Sequence, residues 1–243
     1  MYDVDPTGLD DTSTVDGVIE VALEQFSEHG FPETRLDNIA KISGMSKRMI
    51  HYHFGDKRGL YHRCLVAAVE RITPAGEEMT LDTTVPVEGV TRLVEAVYSR
   101  LIENPDCVRL LAMESLHKVM NLRELAHLHN QSEISLHLDR LLLIGQDAGA
   151  FRPGIAAEDL FYLMGSLAFF RLTNQDLMIN LFDLDPASAE NTGGVRRLMI
   201  DAVVSFLTAN IRDSGHDSYL VTDMVGDGEP QSALGIYDAE DLD

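Results

Sequence analysis

Residues 43–57, SGMSKRMIHYHFGDK, hold three cationic side chains (Lys47, Arg48, Lys57), two histidines and two aromatic rings (Tyr52, Phe54). Lysine and arginine donate to guanine O6 and N7 or to phosphate, and a methionine such as Met49 offers apolar surface to a thymine methyl. The chemistry this window suggests is recognition of double-stranded DNA. Bond-making chemistry is not expected. The sequence has no nucleophile–base pair, no Gly-rich phosphate loop and no Glu-x-x-His pair, so it is read as neither an enzyme nor a cofactor carrier.

The window stands out against its background. The formal net charge is -21, yet residues 35–63 carry seven Lys or Arg against Asp37 and Asp56. Acidity concentrates at the ends, with five Asp in residues 1–16 and nine Asp or Glu in residues 213–243, neither stretch holding a Lys or Arg. A face of concentrated positive charge on an acidic molecule confines productive encounters with DNA to that face.

Short helices must position these groups. Val15, Val18, Ile19, Ala22, Leu23 and Phe26 form one apolar stripe, ended by Gly30 and Pro32. Thr34 with Asp37 resembles a capping box opening a second helix. Gly44 ends that helix, Ser46 caps a third over roughly residues 47–53, and Gly55-Asp56 closes it. A fourth turns Leu60, Cys64, Leu65, Ala68 and Ile72 inward. Ala40, Gly44 and Ile50 have the spacing of a helix-turn-helix: a small residue for close approach, a glycine for the left-handed turn, and a β-branched residue packing the second helix back. Ser46, Lys47, Arg48 and Met49 then face base edges, with His51, Tyr52 and His53 at the helix end where their tips reach phosphate.

From about Val18 to Leu65 the chain resembles the DNA-binding domain of TetR-family transcriptional regulators, through VALEQFSEHGF, TRLDNIAKISGMS and MIHYHFGDKRGLY. The resemblance implies that Thr34, Arg35, His53 and Lys57 hold the DNA backbone, that Lys47, Arg48, Met49 and His51 face the groove, and that Tyr52 does either. Two positions depart from the family pattern. Arg35 stands where a Thr or Ser is common, and His51 replaces a Tyr, which removes a hydroxyl, so that contact is expected either to be lost or to become sensitive to pH.

The rest of the chain reads as helix, giving an all-α fold of about nine helices: a helix-turn-helix domain at 15–72, then a larger helical domain at 73–212. An acidic N-terminus (1–14) and an acidic tail (213–243), both expected to be mobile, flank them. The loop TPAGEEMTLDTTVPVEG marks the boundary. The last two long helices, about 157–181 and 194–211, are expected to pair with their copies in a homodimer. LFYLMGSLAFF is apolar around the whole helix, and Gly165, Ser166 and Ala168 permit close approach. The family further implies a cavity within helices 86–147 for a small-molecule effector, with Tyr98, Glu114, His117, Tyr162, Arg171 and Asn174 as candidate anchors. His129, Glu133 and His137 lie on one helix face, but without a fourth ligand they read as a solvated stripe, and no metal is expected. Cys64 and Cys107 are read as reduced, no apolar run spans a bilayer, and a cytoplasmic location is expected.

The expected function is therefore a ligand-responsive regulator, most often a repressor in this family. It would bind a pseudo-palindromic operator as a dimer and be released by its effector. The alternative is a helix-turn-helix protein acting mainly through protein–protein contacts made by its acidic tails.

Overall fold

The computed structural model describes residues 14–79, 85–120, 133–211 and 215–220. Among them are eleven helices and no strand. The first four are α1 (Val15–Glu33), α2 (Leu36–Ser43), α3 (Lys47–Phe54) and α4 (Lys57–Ile72). The rest are α5 (Gly76–Met79), α6 (Pro86–Glu103), α7 (Pro105–His117), α8 (Glu133–Asp147), α9 (Ala157–Thr173), α10 (Gln175–Phe182) and α11 (Ala189–Thr208). None of the described helices is long and apolar enough to cross a membrane.

Two apolar cores organise the chain. The first packs Val18, Ala22 and Phe26 of α1 with Ile39 of α2, Ile50 and Phe54 of α3, and Leu60, Tyr61, Cys64 and Leu65 of α4. The second gathers Val90, Leu93, Val94 and Val97 of α6 with Leu138 and Leu142 of α8, Leu160 and Met164 of α9, and Met199 and Val203 of α11. Helix α7 serves both. Cys107, Leu110 and Leu111 enter the first core, while their neighbour Val108 enters the second. Successive helical residues lie about 100° apart, so one short helix presents a wall to each side.

Several expectations need correction. About nine helices become eleven because the boundary loop contains the single turn α5 and because the long C-terminal helix breaks at Asn174. There the backbone leaves helical values (φ -122°, ψ 26°), and the side-chain amide donates to the Phe170 carbonyl. Helix α11 starts at Ala189, earlier than expected, because the Ser188 hydroxyl accepts the Asn191 N–H and caps it. Helix α8 is described only from Glu133, since 121–132 lie outside the described residues. Ala168, expected at a helix–helix contact, is buried in the second core.

The tail departs from the expected mobility at its root. Asp159, buried at the start of α9, accepts hydrogen bonds from Ser218 Oγ at 3.0 Å, Tyr219 N at 3.1 Å and Leu220 N at 3.1 Å. The Tyr219 ring leans on Phe206, and the Arg152 guanidinium lies over both rings. Residues 215–220 are therefore docked, while 221–243 and 1–13 lie outside the described residues.

Candidate nucleic-acid interface

Gly44, at φ 73°, provides the left-handed residue that turns α2 into α3. The Ser46 hydroxyl then accepts the Met49 N–H at 3.3 Å and caps α3. Helix α3 buries Ile50 and Phe54, four residues apart, and this rolls Lys47, Arg48, Met49, Tyr52 and His53 outward. Tyr52 is 78% exposed, its ring set edge-on to His53 at 5.1 Å. Gly59 lets the start of α4 pass against the end of α3, because a β-carbon there would collide with the Phe54 carbonyl.

The cations are not equally free. Lys47 Nζ donates to Asp37 Oδ1 at 2.8 Å. Lys57 Nζ donates to the Pro32 carbonyl at 3.2 Å and lies 4.5 Å above the Phe31 ring. Burial pushes the Lys57 pKa down, partly offset by the charge of Glu33. Lys57 thus clamps the end of α1 to the start of α4, with ammonium N–H groups left over for a phosphate. The His51 Nδ1 lies 2.7 Å from the Gly55 carbonyl. A carbonyl only accepts, so Nδ1 carries the proton and Nε2 remains as the outward-facing chemistry of that ring. Arg35 is exposed at the N-cap of α2 and makes no side-chain cap there.

Thr34 departs from the sequence reading. It is 3% exposed, and its hydroxyl donates to the Gly30 carbonyl at 2.7 Å and the Gln25 carbonyl at 3.0 Å. It closes α1 beyond the Gly30 kink instead of capping α2 or reaching out to phosphate. The capping box read from Thr34 and Asp37 does not form, and Asp37 is an ion-pair partner that the sequence reading missed. Its position ten residues before Lys47 held no signal until the turn at Gly44 brought α2 and α3 together.

The six candidate effector anchors do not converge. Glu114 is buried against the first core, where Oε2 accepts from Tyr61 O–H at 3.0 Å and Oε1 from Met120 N–H at 2.8 Å. His117 and Tyr162 are exposed. Asn174 is used at the α9–α10 break. Tyr98 and Arg171 alone share a neighbourhood, through Thr192: the Tyr98 hydroxyl donates to its carbonyl at 2.9 Å and Arg171 to its hydroxyl at 2.5 Å. Arg171 is 6% exposed, and among the described residues its Nε has no hydrogen-bond partner. Burial pushes the Tyr98 pKa up, against the opposing charges of Arg171 and Arg196. Among the described residues no His, Cys, Asp and Glu group could hold a metal ion; His129 and the side chain of Glu133 lie outside that description.

Two family models match the chain. Residues 18–64 match "Bacterial regulatory proteins, tetR family", and residues 86–203 match "Tetracyclin repressor-like, C-terminal domain". The HTH-type transcriptional repressor NicS of Pseudomonas putida is 26% identical over 178 residues, 73% of this chain and 84% of that one. The HTH-type transcriptional repressor SCO4008 of Streptomyces coelicolor is 26% identical over 163 residues, 65% of this chain and 78% of its own. Among solved structures, a tetR-family regulatory protein from Rhodococcus RHA1 superposes with a TM-score of 0.63 at 14% identity, covering 82% of this chain and 98% of that one. The regulator PfmR of Thermus thermophilus gives 0.56 at 23% identity, covering 80% and 99%. These two establish likeness of fold.

Proposed function

Because the chain belongs to the TetR family of transcriptional regulators, a family of DNA-binding proteins and not of enzymes, we propose that it is a repressor that binds a pseudo-palindromic operator as a homodimer and leaves it when a small molecule binds. The observation that carries this reading is the outward ridge of α3, with Lys47, Arg48, Met49 and Tyr52 exposed above buried Ile50 and Phe54. Ser46, Lys47, Arg48, Met49 and the His51 Nε2 supply the groove contacts, and Arg35, His53 and Lys57 supply the phosphate contacts.

Two copies of α3 fit one operator at a half-site spacing near 34–36 Å or a multiple of it, which a symmetric dimer sets. The exposed apolar residues Phe161, Tyr162 and Phe170 on α9 and Leu198 on α11 support a pairing surface there. A β-carbon at Gly165 would meet nothing within 4 Å, so this position leaves space for a partner helix. For the effector we favour an anchor at Arg171 and Tyr98, since a buried guanidinium with a spare Nε suits an anionic or carbonyl oxygen.

Selection of bound duplexes from random DNA tests the reading. The recovered site should be two-fold symmetric, and binding should weaken with salt by a slope near −0.9 for each phosphate neutralised. Charge reversal of Lys47 and Arg48 should abolish recovery. Unchanged binding by Lys47→Glu with Arg48→Glu would refute the role given to α3.

A further inference from the structure

We propose that the acidic segment 221–243 docks on the cationic face of α2 and α3, where DNA would lie, and so competes with phosphate for it. This inference rests on the DNA-binding reading of α3.

The clasp at Asp159 is the first support. Four donors reach this one buried carboxylate: Ala156 N, Ser218 Oγ, Tyr219 N and Leu220 N. Arg152 also donates to the Tyr219 hydroxyl at 3.2 Å. Leu220 is therefore a fixed anchor for the 23 residues that follow it in the sequence. They reach at most about 75 Å when extended. A folded chain of this size has a radius of gyration of only about 18 Å, so α3 lies within reach in one protomer or its partner.

Charge selects the destination. The segment carries seven carboxylates and no Lys or Arg, while residues 35–63 carry seven Lys or Arg against two Asp. Three of the four lysines of the chain, Lys41, Lys47 and Lys57, fall in that window, and the fourth is Lys118. Lys41, Lys47, Arg48 and Arg58 are all exposed. A run of carboxylates presents to them what a row of phosphates would.

The size of the effect follows from tethering. A short tether holds its end at an effective concentration of the order of 1 mM. Purely electrostatic contacts to a polyanion have dissociation constants near 10⁻⁴ M at their weak end. Competition at that ratio weakens DNA binding about tenfold, by the same factor for operator and for random duplex.

The test compares the full chain with a chain ending at Leu220, which keeps the clasp, and with a full-length chain whose seven tail carboxylates are amides. Binding to a random-sequence 30-base-pair duplex is followed by fluorescence anisotropy at physiological salt and above, and carbodiimide cross-links are mapped in the full chain. The expected result is about tenfold tighter binding by both variants, a difference that shrinks as salt rises, and cross-links from tail carboxylates to Lys41, Lys47 or Lys57 and not to Lys118. Equal affinities would overturn the inference. Tighter binding without those cross-links would also overturn it, leaving only long-range repulsion. If no form binds duplex at all, the reading of α3 itself fails.

Discussion

The Lys47 ammonium lies 2.8 Å from the Asp37 carboxylate, tying the first residue of α3 to the first turn of α2. Both side chains are more than half exposed, so the pair contributes about 0–1 kcal/mol to stability. Its significance is where it places a negative charge, beside the surface proposed to meet phosphate. Asp37→Asn should therefore leave the thermal midpoint within about four degrees of the parent. It should tighten duplex binding several-fold in an anisotropy titration, by freeing Lys47 and removing a like charge. Weaker binding would show instead that Asp37 holds Lys47 in its productive rotamer.

Two glycines around α3 predict unequal costs. At Gly44 the constraint is conformational, since φ is 73° and a β-carbon would meet nothing within 4 Å. Gly44→Ala should cost about 1–2 kcal/mol. At Gly59 the obstacle is the Phe54 carbonyl itself, which cannot move without unwinding the end of α3. Gly59→Ala should be the more destabilising of the two in urea denaturation. The reverse order would mean that the α3–α4 corner is looser than its packing indicates.

Tyr61 joins the reading head to α7 through Glu114, in a buried site. Tyr61→Phe leaves Glu114 Oε2 without that donor, and should cost about 1–3 kcal/mol. Burial, reinforced by the Glu114 hydrogen bond and charge, pushes the Tyr61 phenol pKa upward. The unfolded phenol ionises near pH 10 while the folded one stays neutral. The stability this provides is fully present below about pH 10 and is lost as pH rises from there through the folded value. Urea midpoints of the parent should fall more steeply than those of Tyr61→Phe between about pH 9 and 11. Parallel slopes would remove Tyr61 from the alkaline response.

The reading head was largely legible in the sequence because its constraints are local. Gly44, Ser46, Ile50 and Asp56 act over three or four residues, and each stands where its spacing placed it. Thr34 misled because a threonine before a helix and a threonine after one look alike; the Gly30 kink decides between them, by turning a carbonyl toward the Thr34 hydroxyl. The surroundings of the candidate effector anchors were illegible for a different reason. Polar residues on apolar faces predict burial, but whether they meet depends on which helices touch. Glu114 went to the first core, while Tyr98 and Arg171 met over Thr192, which no local pattern marked.

The Asp159 clasp should be measurable apart from any role in DNA binding. Asp159→Ala removes the acceptor shared by Ser218, Tyr219 and Leu220. The Tyr219 and Leu220 amides should then exchange with solvent at a rate close to that of open chain, because what remains is the Tyr219 ring against Phe206 and Arg152 and the Leu220 N–H donated to the Ser218 hydroxyl. The core beneath should hold, since Leu160 and Met164 of α9 pack into it independently. Retained protection at Tyr219 and Leu220 would show that the ring contacts alone hold the root of the tail.

The outer face of α9 sets the final expectation. Phe161 and Tyr162 are 54% and 66% exposed, so a charge at Phe161 should disturb the protomer by no more than about 0.5 kcal/mol. In a dimer the same charge would face a partner helix across an apolar seam, where an unpaired buried charge costs several kcal/mol. Phe161→Asp should therefore sediment as a single 26.9 kDa chain with an unchanged helical circular-dichroism spectrum, while the parent sediments at twice that mass. Binding to a two-half-site duplex should fall at least tenfold, because each α3 then binds without the other's effective concentration. If Phe161→Asp remains dimeric, the pairing surface lies elsewhere, and the spacing of the two reading heads must be sought from another face.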